Sequence, residues 1–274
     1  MALDPIEPAA FDFILQVERF YASLIANADS RSGQEPELGG RLLYAGKLDG
    51  EGRALLVAGN IAGAASMAAT ADTAAQKQAI RDGVADFLVT SVDEALRILK
   101  NEIRKRAAVA VCVALAPEAV EREMLERGVL PDLLRSGAAV APEGAALLIH
   151  DAPQIHPPAL EARQILLTWR VAAAPAHWLP KLDAIALDCL SLGSSPAVCA
   201  ARRWLRLAPR YLGRLALGVR TIRCEPKVAR EFVARAQLAI DCGEIGVEVQ
   251  VSLSSNEDTY VLRVSRSAAT ETAD

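Results

Sequence analysis

Histidine is scarce in this chain, with three residues, His150, His156 and His177, in 274. No two of them stand at the i, i+4 spacing of a helical ligand pair. The five cysteines at 112, 189, 199, 224 and 242 contain no C-x-x-C pair. Zinc is therefore not expected, and reduced thiols in a cytoplasmic protein are the simplest account. The longest apolar run, residues 107–116, has ten members, whereas a membrane span needs about 20. The opening Met-Ala-Leu-Asp-Pro-Ile-Glu-Pro puts no basic segment before a greasy one, so no secretory leader is expected. A net charge of −4 and a pI near 5.6 argue against a chain that is basic enough to bind nucleic acid as a whole. Aromatics make up only 4%, and no internal repeat of the solenoid kind is visible.

Aliphatic residues dominate instead. Hydrophobic residues reach 52% and the mean hydropathy is +0.20, so the core is built mostly from Ala, Leu, Val and Ile. This composition excludes disorder, collagen and a disulfide scaffold. A mass of 29.1 kDa fits one large domain or two small ones. Residues 11–28 place Phe11, Ile14, Leu15, Val17, Phe20, Tyr21, Leu24 and Ile25 on one helical face. A polar linker follows, and residues 1–39 are set apart as helix and linker. From Arg41, short apolar runs alternate with helical segments. Strands are expected at 41–46, 85–90 and 109–115, and helices at 72–81, 92–106 and 117–127. Ser91-Val-Asp-Glu94 is a capping box. Pro117 stands in the first turn of its helix and Gly128 just past the end. Residues 53–58 read as a strand by composition or, extended to 65, as a helix of small residues: length and alanines favour helix, while Gly59, Asn60 and Gly63 weaken it. Such alternation implies right-handed crossovers and a parallel sheet covered on both faces.

After Leu134 the polar, glycine-containing stretch to Gly144 reads as a boundary, giving domains at 40–142 and 143–274. In the second, residues 146–150 suggest a short strand and 164–171 either strand or helix. Helices are expected at 178–190, 198–207 and 227–240, with a strand at 219–224. Residues 247–253 and 260–264 alternate about Ser-Asn-Glu-Asp, a β-hairpin signal.

Several constellations invite chemistry. His150-Asp151 followed by His156 lies among Pro153, Pro157 and Pro158, which reads as a loop and no metal site. Ser194-Ser195 lacks the G-x-S-x-G elbow of a serine hydrolase. Glu118, Glu121, Glu123 and Glu126 read as a solvated helix face. Gly50 and Gly52 read as a tight strand-to-helix turn or a residual nucleotide site. From Cys189 to Cys224 there is no acid but there are seven arginines, of which Arg203, Arg206, Arg210 and Arg214 fall at helical spacing. This is either an exposed basic face balanced by the glutamate-rich helix, or an anion-binding site using bidentate guanidinium contacts. Pro209 is expected to break or kink that helix.

Gly40-Arg-Leu-Leu-Tyr-Ala-Gly46, Ala62-Gly63-Ala64, Ser91-Val-Asp-Glu-Ala-Leu96 and Glu126-Arg-Gly-Val-Leu-Pro-Asp-Leu133 stand in one register over residues 40–134. This segment resembles the Rossmann-like NAD-binding domain of urocanase (urocanate hydratase), whose S-L-D-E-A-L and R-R-G-V-x-P-D-L the last two match. The resemblance implies an α/β fold: a Rossmann-like parallel sheet with flanking helices, joined here to a C-terminal α/β part ending in a β-hairpin. It also implies that residues 53–65 are helical, and it makes NAD the cofactor to consider. In the family, bound NAD acts as an electrophile toward the imidazole ring of urocanate. The resemblance covers about a third of the chain, and the family's catalytic core has no counterpart here.

The motifs depart from the family where ligands would bind. Its phosphate loop G-L-G-G-M-G-G-A-Q is matched by Lys47-Leu-Asp-Gly-Glu-Gly-Arg-Ala-Leu55. Asp49 and Glu51 would repel a diphosphate, with Lys47 and Arg53 offsetting part of the charge. The family's ribose-binding acid is replaced by Thr70, its Gly-Asn by Leu115-Ala116, and its D-Q-T-S by Ser136-Gly-Ala-Ala139. Gly50, Gly52, Arg53 and Thr70 are thus the residual cofactor-binding candidates, and no catalytic residue is assigned. The expected function is a domain without hydratase activity and without a cofactor, acting in binding or assembly. The alternatives are a small NAD-dependent lyase with a remodelled loop, and an Arg-rich adaptor for an anionic partner. A second copy of the chain or an acidic protein is the expected partner, not a membrane or nucleic acid.

Overall fold

Fully buried aliphatic runs become adjacent parallel strands because only a sheet covered on both faces satisfies their backbone and buries both sides. The computed structural model describes residues 8–28, 35–135, 154–155, 160, 163–191, 193–256 and 258–266. The chain divides into two compact units, one built chiefly on residues 9–158 and the other on residues 159–209 and 214–274. In the first, helix α1 (Pro8–Ala26) buries Ile14, Val17, Phe20, Tyr21, Leu24 and Ile25. There follow β1 (Leu42–Lys47), α2 (Gly50–Ala62), β2 (Ala65–Ala69), α3 (Thr73–Arg81), β3 (Phe87–Val89), α4 (Val92–Lys105), β4 (Val109–Val113), α5 (Pro117–Glu126), β5 (Leu133–Arg135) and β6 (Gln154–Ile155). The strands lie in the order β3-β4-β2-β1-β5-β6, and every neighbouring pair is parallel.

One face of this sheet carries Leu42, Tyr44, Met67, Val111, Val113 and Leu134 against α4 and α5. On the other face α2 approaches closely: a Cβ at Gly59 would run into Ser66 Oγ and Leu43. That contact explains the small residues of α2. The stretch 53–65 is helix only as far as Ala62, where Gly63 turns left-handed at φ 93°. Strand β2, Ala-Ser-Met-Ala-Ala, carries no strand signal of its own; it is strand because β1 and β4 pair with it on both sides. Two helix-end signals hold. Ser91 Oγ accepts from the Glu94 N–H at 3.3 Å, and Gly128 has φ 64°. Two carboxylates pin strand starts: Asp132 Oδ2 accepts from the Leu42 N–H and Asp86 Oδ2 from the Ala110 N–H, each at 2.7 Å.

The glutamate face needs a correction. Glu121 is buried, and Tyr44 Oη donates to its Oε1 at 3.1 Å. It points inward because α5 lies over the β1 side of the sheet core, where Tyr44 needs an acceptor. Burial and the neighbouring Glu121 push the Tyr44 phenol above its ordinary range.

In the second unit residues 165–171 form strand β7 (Ile165–Val171). Helix α6 (Pro175–Ser191), helix α7 (Pro196–Leu212), a 3-10 turn (Gly213–Ala216), β8 (Val219–Cys224), helix α8 (Pro226–Asp241), β9 (Val249–Ser254) and β10 (Thr259–Val264) follow. The sheet is antiparallel in the order β10-β9-β7-β8. Its apolar face bears Leu167, Trp169, Val171, Ile222, Val249 and Val251. Phe232 of α8 packs on Trp169, with ring centroids 4.8 Å apart. Arg220 reaches Asp183 of α6 at 3.0 Å; burial nonetheless pushes the Asp183 carboxyl up. Pro209 does not end its helix: α7 runs through it to Leu212. The expected strand at 146–150, His150, Asp151, His156 and Ser136-Gly-Ala-Ala139 lie outside the described residues.

Candidate functional site

The strand order places a topological switch point between β1 and β5. From β1 the chain crosses by α2 to β2 on one side, whereas β5 is reached from β4 by α5 and lies on the other. Open α/β sheets take their ligands in the crevice at the carboxyl ends of such strands. Here two charged residues span the crevice. Asp49 follows β1 and is the N-cap of α2, its Oδ1 accepting from the Gly52 N–H at 2.8 Å. Arg135 closes β5, with its side chain only 10% exposed. Its Nη1 donates to Asp49 Oδ1 at 2.7 Å and its Nη2 to Asp49 Oδ2 at 3.2 Å, a two-point clamp. Nη1 also reaches the Lys47 carbonyl at 3.3 Å. Partial burial pulls the Asp49 carboxyl up, but the Arg135 guanidinium and the Gly52 N–H hold it below the usual carboxylate range.

Gly50, Gly52, Arg53 and Thr70 all lie at this end of the sheet. A Cβ on Gly50 would meet nothing within 4 Å. A Cβ on Gly52 would run into the Lys47 carbonyl oxygen, so that glycine is set by the approach of α2 to β1. Arg53 pairs with Asp82. Thr70 is buried and its Oγ1 accepts from the Asp72 N–H at 3.2 Å, while its carbonyl accepts from Gln76 Nε2 at 2.8 Å. Glu51 lies within the first turn of α2, where its charge suits the helix dipole. The bare charge expected at Asp49 is matched by Arg135. A diphosphate would draw on the first-turn N–H groups of α2 and on a nearby cation; the Gly52 N–H and the Arg135 guanidinium already serve Asp49. This donor set does not fit a dinucleotide diphosphate.

The arginine stretch is divided among elements. Arg203 is half-buried, and Arg206 and Arg210 are exposed, all on α7. Arg214 leaves that helix, because Gly213 turns left-handed at φ 54° and a 3-10 turn follows. In the glutamate-rich helix, Glu123 pairs with Arg127 of its own turn, and Arg127 also holds Asp93. A groove of about 400 Å³ in the second unit is lined by Cys189, Ser195, Val198, Glu225, Lys227 and Glu231. Ser195 is occupied as a cap, accepting from the Val198 N–H at 3.3 Å, and burial pushes the Cys189 thiol up. Neither is an activated nucleophile. Among the described residues no group of three His, Cys, Asp or Glu could hold a metal ion, and no helix is long and apolar enough to cross a membrane.

Sequence reasoning missed Arg135. Its only signal is an arginine closing the apolar run Leu133-Leu134, next to the expected crossover turn. The chain carries a urocanase Rossmann-like domain: residues 17–140 match the family model of that description. The match extends beyond the motif-bearing segment to take in more than half of α1.

Proposed function

Proceeding from a urocanase Rossmann-like domain whose switch point holds an ion pair, we propose that the domain acts without NAD and without hydratase activity, as a binding or assembly module. One observation carries this reading. The Asp49 carboxylate lies where a phosphate would lie, capped by the Gly52 N–H and clamped by Arg135. Ligand phosphate would have to displace a covalently attached carboxylate held by three charge-assisted hydrogen bonds, two of them from a guanidinium. A fold shared with an enzyme does not bring the enzyme's activity.

The test uses the full chain. A dinucleotide at 100 times its Kd would add about 2.7 kcal/mol of stability. Millimolar NAD is expected to leave the melting midpoint unmoved, denaturation of purified protein to release no NAD, and urocanate to keep its ultraviolet absorbance. A raised midpoint, released NAD or loss of absorbance would each refute the reading.

A further inference from the structure

Edge strands expose unpaired N–H and C=O groups, and proteins blunt them by keeping them short, covered or bulged, or by placing Pro or charged residues, Lys above all, on them. Among the described residues, three of the four sheet edges follow that rule. Strand β3 has three residues and β6 has two. The outer side of β8 is covered at Thr221, whose carbonyl accepts from the buried Trp204 Nε1 at 2.6 Å. Strand β10 follows it at one position alone, its single charge Arg263. It is six residues long, its pairing with β9 runs unbroken from Thr259 to Val264 without a bulge, and it contains neither Pro nor Lys. No strand among the described residues pairs with its outer side.

The central side chains of this exposed edge are apolar. Tyr260, Val261 and Leu262 are 62%, 54% and 42% exposed. They stand consecutively between Thr259 and Arg263, so the strand reads polar, apolar, apolar, apolar, polar about Val261. That pattern is self-complementary under a two-fold axis. We propose that β10 pairs antiparallel with β10 of a second copy of this chain, with Val261 facing Val261 on the axis. The two four-stranded sheets then become one of eight strands. Tyr260 of each copy opposes Leu262 of the other on the same sheet face, and Thr259 opposes Arg263. Antiparallel strands must oppose residues of like orientation across a two-fold, which this register satisfies. Its single charge, Arg263, is drawn toward Glu248 at 3.8 Å, so no like-charge contact forms on the axis. The proposal rests on the C-terminal sheet alone and is independent of the switch-point reading.

The test is sedimentation of the full chain in a Cys242→Ser background, which removes the exposed thiol. A mass of twice 29.1 kDa is expected at about 100 µM, where small edge interfaces are populated. Val261→Lys, at an exposed position, should keep the monomer's circular dichroism and raise the dimer Kd about tenfold or more by setting like charges on the axis. Val261→Cys should cross-link to its own copy under mild oxidation, because Cα atoms facing across an antiparallel pair are about 4.5–5.5 Å apart, within disulfide range. Thr259→Cys should not, since it faces Arg263. A chain that stays monomeric, a dimer indifferent to Val261→Lys, or equal cross-linking by the two cysteine variants would overturn the proposal.

Discussion

Removing Asp49 should cost far more than removing an ordinary helix cap. Asp49→Ala deletes the acceptor for the Gly52 N–H, worth about 1 kcal/mol as an N-cap. It also strands Arg135, whose side chain is only 10% exposed, without its counter-charge. Hydrogen bonds to a charged group contribute about 1.5–3 kcal/mol. Breaking a fully buried pair costs about 3–5 kcal/mol, but Asp49 is 40% exposed and water screens it, so the lower range applies. The sum is about 3 kcal/mol. Asp49→Asn keeps the cap and one acceptor, and should cost about half of that. Arg135→Met leaves a carboxylate that water can reach, and adding Asp49→Ala to it should cost at least about 1 kcal/mol less than the two singles summed. Urea unfolding followed by far-ultraviolet circular dichroism reads these values. All three tryptophans, Trp169, Trp178 and Trp204, lie in the other unit, so their fluorescence is a separate channel. The folded carboxyl titrates below the unfolded one. Its contribution is therefore present above the unfolded value of about 3.9 and lost as pH falls through the folded value, where wild type and Asp49→Asn should converge. Additive single variants, or an Asp49→Ala cost no larger than a cap, would refute the clamp.

The two glycines of the turn should behave oppositely. Gly52→Ala drives a methyl into the Lys47 carbonyl and should cost about 3 kcal/mol or more in urea unfolding. Gly50→Ala meets open space and should be neutral or stabilising by about 0.5 kcal/mol. Of the five thiols only Cys242 is exposed, so native protein near pH 8 should consume one equivalent of a disulfide reagent, and denatured protein five. Burial pushes Cys112 up to about 11, and burial followed by Glu225 pushes Cys224 up to about 12. These raised values leave stability intact below the unfolded thiol value of about 8.5 and withdraw it as pH rises toward 11. The urea midpoint should fall across that interval.

Elements whose formation depends on their own residues were legible in the chain. Val-rich β4, the Ser91 cap, the Gly128 terminus and the alternating hairpin each carry local chemistry that selects one backbone state. The family resemblance located the Rossmann-like segment in the same way, through motifs kept in register. Strand β2 was not legible by itself, because Ala-Ser-Met-Ala-Ala becomes a strand only when β1 and β4 supply partners. Glu121 read as solvated because a period of charges does not say which glutamate meets a buried phenol.

The sequence by itself determined the class of fold, the turn after the first strand and the replacement of three of the family's five glycines there, at 47, 49 and 53. Only the tertiary structure decided what the new acid does there. Asp49 and Arg135 are 86 residues apart in the chain, and no local pattern couples them. Parallel pairing of β1 with β5 brings the two ends together, and in that partly desolvated crevice a carboxylate is held by a guanidinium instead of repelling an anion.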